Sequence, residues 1–479
     1  MTHLLHALVW LIVGRNKPVR AIARTGVSGT PNAGNAPPLL SPGGLIPAYI
    51  LLHALAWLIV GLCANPALAK EKLTVLTAYP EDVVSRYETA FEQTYPDIDL
   101  AVIWKMPHDA LPYLKQPKQG GVDVYWSASQ RNFMVLKQQH AWQKLGIDRS
   151  GLADSLGALP LVDTDGYFCV TEMAGYGFAV NADYLKKHGL ATPKTWQDLA
   201  DTHYQGHLAL PVPSRVGFAP MMIDSVLQQY GWEPGWALLS DIVANARLVE
   251  SGSTFITDII GSGERGIAPT IDFFTASAAA NGAPLHFIYP EPVAYSPAHI
   301  AIAAASQHTD AARRFVSFVL SDRGQKLLFH PDIRKLPVRA SVYADKPDHY
   351  FDPFSETKAH PVVYDPSRAS PRLALNNALF DRLFSDHLQR LQNLWLQLRK
   401  HQQSAKADQA ERLVKIRQLL TGVPVNAAKA ETPTLQQTFS ERSTDKKAEA
   451  EAQALEQAWS KEIDSRYAEA ENLLKQLGP

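Results

Sequence analysis

The run LTVLTAYPEDVVSRYETAFEQTYPDIDLAVIW, residues 73–104, decides the fold class. LTVLTA reads as a strand rich in β-branched and apolar residues. Pro80 then stands where a helix tolerates proline, and Glu81 and Asp82 meet the partial positive charge of the first turn. IDLAVIW closes the unit as a second strand. Strand, helix, strand is the unit from which parallel sheets with covering helices are built, so the expectation is an α/β protein.

Working outward, VDVYWSA predicts a third strand with a helix opening at 127–130. YFCVTEMAGYGFAV, residues 167–180, holds two strand-like runs joined at Gly175 and Gly177, where the chain crosses over. A helix (TPKTWQDLAD), a strand (HLALP), a helix near 218–230, a strand (ARLVES), a helix from about 254 and the strand of GIAPTIDFFTASAA follow in order. LHFIYP and HIAIAA then lead back towards the helices of TDAARRFVSFVLSDRGQKLLF. An excursion and return of this kind predicts two α/β lobes joined by two crossovers: lobe 1 over about 70–165 and 290–345, lobe 2 over about 175–285, within a body of 70–370. Past Pro371 the leucines and aromatics recur at helical intervals, as do Leu455, Trp459, Ile463, Tyr467 and Leu474 in 448–477. The expectation there is a helical extension over 371–479, interrupted by a polar linker near 421–444.

The first 69 residues read differently. LIPAYILLHALAWLIVGLCANPALA, residues 45–69, is an apolar run that closes on Ala67-Leu68-Ala69, a small-x-small cleavage pattern. It predicts a signal peptide cut after Ala69 and a periplasmic chain starting KEKLTVLTAYP. A membrane anchor over 45–63 is the alternative, as is lipidation at Cys63, although Leu62 is large for the residue before a lipidated cysteine. HALVWLIVG at 6–14 returns as HALAWLIVG at 53–61, so the leader reads as duplicated or over-extended. Beyond Ala69 only Cys169 remains, which excludes an internal disulfide.

With 479 residues the chain exceeds one ordinary core, and 46% hydrophobic residues make it globular. Forty-six basic against 47 acidic residues leave a charge of -1, which offers no footprint for nucleic acid. GSGERG at 261–266 matches a dinucleotide-binding pattern in letters only. A helix precedes it and a strand follows, the reverse of what aims a helix N-terminus at a pyrophosphate. No P-loop, H-E-x-x-H or G-x-S-x-G motif is present, so the expectation is no enzyme, no cofactor and no resident metal.

What recurs is a small polar turn between the carboxyl end of a strand and the next helix. Thr77-Ala78-Tyr79, Ser127-Ala128-Ser129, Ser214-Arg215-Val216-Gly217 with Pro213 before it, Ser251-Gly252-Ser253-Thr254 and Thr270-Ile271-Asp272 all have this form. Open α/β sheets bind ligands there, where helix N-termini offer unpaired N–H groups to an anion. Each Ser or Thr alone is an ordinary N-cap; five such turns point to one cleft. The candidate ligand-binding residues are Tyr79, Ser127, Ala128, Ser129, Ser214, Arg215, Gly217, Ser253, Thr254, Asp272 and Phe273, with Arg215 as the charged partner.

Residues 180–218, VNADYLKKHGLATPKTWQDLADTHYQGHLALPVPSRVGF, closely resemble the segment entering the second lobe of ABC-transporter solute-binding proteins of the ferric-iron-binding type. AARRFVSFVLSDRGQKLLF resembles their return segment. P-x-T-W-x-D-L, P-x-P-S-x-x-G and S-x-x-G-Q carry the likeness, which spans roughly 72–343. The resemblance implies a periplasmic two-lobed protein that closes on a solute and delivers it to a membrane permease. Ferric-binding members carry two adjacent tyrosines, whose phenolates hold the iron, where this chain has Phe273-Phe274. That departure counts against iron. YPEPVAYSPAHIAIAAAS and RKLPVR resemble relatives that bind phosphorylated organics. The tail is similar to extensions of phosphoglycerate transport regulatory proteins, which act with a membrane sensor kinase.

The expected function is therefore capture of a small anionic, phosphorylated or phosphonate metabolite for an ABC permease. A ferric-iron carrier, a regulator acting on a sensor kinase, and a hydrolase lacking a recognisable nucleophile are the alternatives.

Overall fold

Strand β1 (Glu71–Thr77) pairs in parallel with β2 (Ile98–Trp104) on one edge and β3 (Val124–Ser127) on the other. The helix Glu81–Thr94 makes the crossover, burying Val83, Tyr87, Ala90 and Phe91 against the sheet. The computed structural model describes residues 70–478 other than 405, without the side chains at 253–255. The leader, its repeat, the cleavage site and Cys63 lie outside the described residues.

Three two-residue strands, β4 (Trp142–Gln143), β5 (Ser155–Leu156) and β6 (Leu159–Pro160), precede β7 (Phe168–Asn181). Then come β8 (Leu208–Pro211), β9 (Ala246–Val249), β10 (Ile267–Ile271), β11 (Leu285–Ile288), β12 (Ala294–Ala303) and β13 (Leu336–Pro337). The main order is β2-β1-β3-β12-β7-β10-β8-β9. Two parallel trios, β2-β1-β3 and β10-β8-β9, are thus joined through the antiparallel pair β12 and β7. These two strands are the crossovers of the excursion and return.

β7 is one strand, where the sequence suggested two runs, and all of its residues are buried. Its glycines serve close approach and do not break it. A Cβ at Gly177 would lie 2.3 Å from the Ile288 carbonyl oxygen, and one at Gly175 2.5 Å from the Tyr289 ring. The expected helix at TPKTWQDLAD is a 3-10 turn, Asp198–Ala200. The Asp198 carboxylate accepts from the backbone N–H groups of Lys194 and Thr195 and closes the chain locally before a full helix can form.

One core lies under the first trio, with Leu73, Phe91, Trp126 and Ile300 at its centre; a second lies under the other trio. That second core does not end with lobe 2. The helix Trp232–Asn245 is buried on nearly every side, so it needs a cover on the face turned away from the sheet. Residues of the C-terminal extension supply it: Phe384, Trp395, Leu398, Ile463 and Tyr467 belong to the same buried cluster as Trp236 and Leu239. Polar contacts fix the seam. The Trp395 indole N–H donates to Ser240 Oγ at 3.1 Å, and the Arg372 guanidinium holds the fully buried Asp224 carboxylate through Nε and Nη2 at 2.6 and 3.1 Å.

The polar linker expected near 421–444 is instead two helices, Ala427–Ala430 and Pro433–Glu441. Few of its residues are apolar, but Val425, Ala430, Leu435 and Phe439 are the ones buried, and Phe439 stacks on Trp459 at 5.3 Å. The helix Lys446–Lys475 runs the length of this layer. Among the described residues no helix is long and apolar enough to cross a membrane.

If the extension is structural cover for lobe 2, Trp395→Ala will cost about 3–5 kcal/mol in urea unfolding. Its neighbour Leu396, which is 52% exposed, will cost under about 0.5 kcal/mol when changed to alanine.

Candidate ligand-binding site where the strand ends meet

β7 carries one extra residue against β12, because Ala298 pairs with Glu172 and the adjacent His299 with Val170. A bulge of this kind re-aims side chains, and Thr171 and Glu172 are the residues it displaces. Glu172 is 2% exposed, the single acid of a buried strand, so its carboxylate must be met by donors. The Tyr79 hydroxyl donates to Oε1, the Thr171 hydroxyl to Oε2, and the Trp126 indole N–H to Thr171 Oγ1 at 3.0 Å and Glu172 Oε2 at 3.4 Å. The fourth partner is a cation, Lys335, whose Nζ stands 3.4 Å from Oε1. Register explains its place: Leu336 and Pro337 of β13 pair with Met173 and Glu172, which sets the preceding lysine beside the bulge.

Lys335 is where the two lobes meet. Its Nζ lies 4.1 Å from the centre of the Tyr79 ring, just past the end of β1, and 5.4 Å from that of Phe273, just past the end of β10. Trp126, near the end of β3, reaches the same cluster through Glu172. Two strand ends, one from each trio, therefore meet at one ammonium group. Burial, reinforced by the Glu172 charge, holds the Tyr79 hydroxyl protonated well above its usual range.

Asp272 opens the helix Asp272–Ala280 and is 3% exposed. Its Oδ2 accepts from Gly175 N at 2.7 Å and the Tyr289 hydroxyl at 3.0 Å, and its Oδ1 from Phe273 N at 2.7 Å. Burial pushes the carboxyl up to about 7; the three hydrogen bonds and the Lys335 charge pull against it without cancelling it. The rings of Phe273 and Phe274 are half-buried on the lobe 2 core, 4.3 Å apart, with Phe218 near Phe274.

The other expected residues are distributed around this centre. Ser127 is buried, and its Oγ accepts from Ser129 N at 3.3 Å, closing the turn on itself; Ala128 is exposed and Ser129 partly so. Ser214, Arg215 and Gly217 lie exposed on the turn after β8. Ser214 donates to Asp381 Oδ1 of the extension at 3.1 Å. The side chains of Ser253 and Thr254 lie outside the described residues, while their backbone opens the helix Ser253–Gly261 after β9. All five turns do follow strand ends, and among the described residues direct contacts tie Tyr79 and Phe273 to the Lys335 centre, with Asp272 beneath it.

Sequence reasoning missed Glu172, Lys335, Trp126 and Tyr289. One signal was available: Glu172 is a lone acid inside an apolar strand, a position that demands a partner.

Elsewhere, Glu291, Glu356 and His360 form the one group of three metal-ligating side chains among the described residues. The His360 Nδ1–Glu356 pair at 2.6 Å, one helical turn apart, already accounts for two of them. A cavity of about 300 Å³ between lobe 2 and the extension is lined by Trp232, Arg368, Arg372 and Glu431, and Glu431 pairs with both arginines.

The Asp272 carboxyl has a pH consequence. Its pKa is raised from 3.8 to about 7 on folding, so the folded chain binds the extra proton. The stability it contributes is full below the unfolded value and is lost as pH rises through about 7. Asp272→Asn copies the protonated carboxyl. In melting curves across this window the wild type will lose stability with rising pH, and the variant will lack that part of the decline.

With this geometry in place, the similarities to known proteins are specific. The profile described as bacterial extracellular solute-binding protein matches residues 132–354. The phosphoglycerate transport regulatory protein PgtC of Salmonella typhimurium is 33% identical over 310 residues, covering 65% of this chain and 76% of that protein. The periplasmic binding protein AfuA of Actinobacillus pleuropneumoniae, solved with fructose-6-phosphate, matches with a TM-score of 0.50 at 20% identity over 68% of this chain and 98% of its own. Trichodesmium IdiA (FutA), solved with iron and citrate, gives 0.52 at 16% identity over 65% and 98%. At such identities the two structures speak for the fold, the two-lobed type II binding-protein fold, and the Salmonella relative speaks for kinship. The chain belongs to the bacterial extracellular solute-binding protein family, whose members bind solutes and are not enzymes.

Proposed function

We propose that this protein captures a small anionic metabolite bearing a phosphate or phosphonate group in the cleft between its lobes and presents it to an ABC permease. The observation that carries the reading is the Lys335 ammonium at the meeting point of two strand ends, one from each trio, walled by the rings of Tyr79 and Phe273. Two helices open beside those ends, Gln130–Gln138 and Asp272–Ala280, and neither has a side-chain hydrogen bond from its N-cap residue. Phe273 N is already held by Asp272 Oδ1, and the remaining N–H groups of the first turns add partial positive charge, which suits a phosphate. The ligand favours the closed arrangement because lobe 1 supplies Tyr79 and Ser127 while lobe 2 supplies the helix N-terminus behind Phe273. The phosphoglycerate in the name of the Salmonella relative and the sugar phosphate bound to the Actinobacillus protein agree with this ligand class.

Ferric iron is the weaker reading. Phenyl rings at 273 and 274 offer no ligand atom, and the hydroxyls of Tyr79 and Tyr289 are committed as donors to Glu172 and Asp272. Burial holds both phenols protonated, whereas iron requires phenolate. A regulator reading has one specific support: Ser214, on a candidate ligand turn, is hydrogen-bonded to Asp381 of the extension, so ligand contact there would reach the C-terminal helices.

A thermal-shift series against phosphoglycerates, sugar phosphates, phosphonates and ferric iron tests the proposal. A phosphorylated compound at about 100 times its dissociation constant adds about 2.7 kcal/mol. Lys335→Met will weaken that binding by about 1.5–3 kcal/mol, as will Arg215→Ala if its turn closes on the ligand. Stabilisation by iron alone would sink the anion reading.

A further inference from the structure

We infer that the cleft takes up a proton together with its anion, and that Asp272 is the group that carries it. The inference rests on the anion reading above. Asp272 is buried beside the anion site, and every hydrogen bond it accepts comes from a neutral donor: Gly175 N, Phe273 N and the Tyr289 hydroxyl.

The groups facing it can be taken element by element. β7 brings Tyr176 and, further along, Glu172; the segment after β11 brings Tyr289; β12 brings Tyr295. The segments on either side of β13 bring Lys335, Tyr343 and Tyr350. All five phenols are pushed upward and stay protonated at neutral pH. Lys335 is the one cation in this set, and its ion pair is with Glu172. Among the described residues Asp272 has no ion pair, and the one ammonium acting on it is already paired with Glu172.

An anion arriving at Lys335 adds a third negative charge to this neighbourhood. Glu172 keeps its hydroxyl and indole donors. Asp272, whose carboxyl already sits at about 7, answers the added charge by binding a proton. By linkage the reverse holds equally: a protonated Asp272 tightens the anion. For charges several ångströms apart at a protein-like dielectric the coupling is about one pKa unit, or about tenfold in affinity. Capture is then stronger on the acid side of neutrality.

Sulfate is the probe, because its double charge does not change across this range. Calorimetric titration of the full chain, in two buffers of different ionisation heat, will show sulfate bound about fivefold more tightly near pH 6 than near pH 8, with net proton uptake around neutrality. Asp272→Asn will bind with little pH dependence and no proton uptake. Tyr289→Phe, which removes one donor to the carboxylate, will move the midpoint to higher pH and decides the matter if the Asn variant does not fold. Binding that needs Lys335 but is flat with pH, a pH dependence kept in Asp272→Asn, or an unmoved midpoint in Tyr289→Phe overturns the proton coupling and leaves the anion site standing. No sulfate binding, or undiminished binding in Lys335→Met, removes the anion site and the coupling with it.

Discussion

A carboxylate buried on the strand that both lobes share sets the terms for this protein. Glu172 lies on β7, where water cannot reach it, and an unpaired charge there would cost several kcal/mol. Its donors come from the ends of β1 and β3 and from the residue before β13, and together they fix a lysine at the junction of two parallel trios. The bulge at Thr171, the position of β13 and the inward turn of Tyr79 can all be read as conditions for satisfying that one group. The arrangement also explains how a lysine comes to be 12% exposed: Glu172 balances its charge and two aromatic rings face its ammonium.

A second constraint shapes the rest of the chain. The helix Trp232–Asn245 is too apolar to face water, and the extension exists in the fold as its cover. Buried pairs such as Arg372 with Asp224 do not by themselves make such a seam stable, since desolvation offsets much of their attraction. They fix its register, while Trp395, Phe384 and Tyr467 supply the buried area. The Actinobacillus and Trichodesmium structures match 68% and 65% of this chain, so about a third of it lies outside the architecture shared with them.

The sequence disclosed the alternation of strands and helices, the crossover at Gly175 and the turns at strand ends, because each depends on residues near in the chain. The place of Phe273-Phe274 at a strand end was legible for the same reason: it follows β10 directly. Lys335 was not, although RKLPVR was visible, because its meaning depends on which residues of β7 stand opposite β13. The extension shows the same limit. Residues 421–444 look polar when averaged, yet four apolar side chains spaced along them are buried, Phe439 against Trp459. At TPKTWQDLAD local capping by Asp198 overrode the helical spacing.

The central claim is that an anion sits at the Lys335 ammonium between the strand ends. Anomalous scattering from a crystal soaked in selenate tests it directly. The account predicts the strongest peak within about 4 Å of Lys335 Nζ, near the N-terminus of the helix Asp272–Ala280. A strongest peak elsewhere, for instance at the Arg368–Arg372 cavity, with none at Lys335, would contradict it.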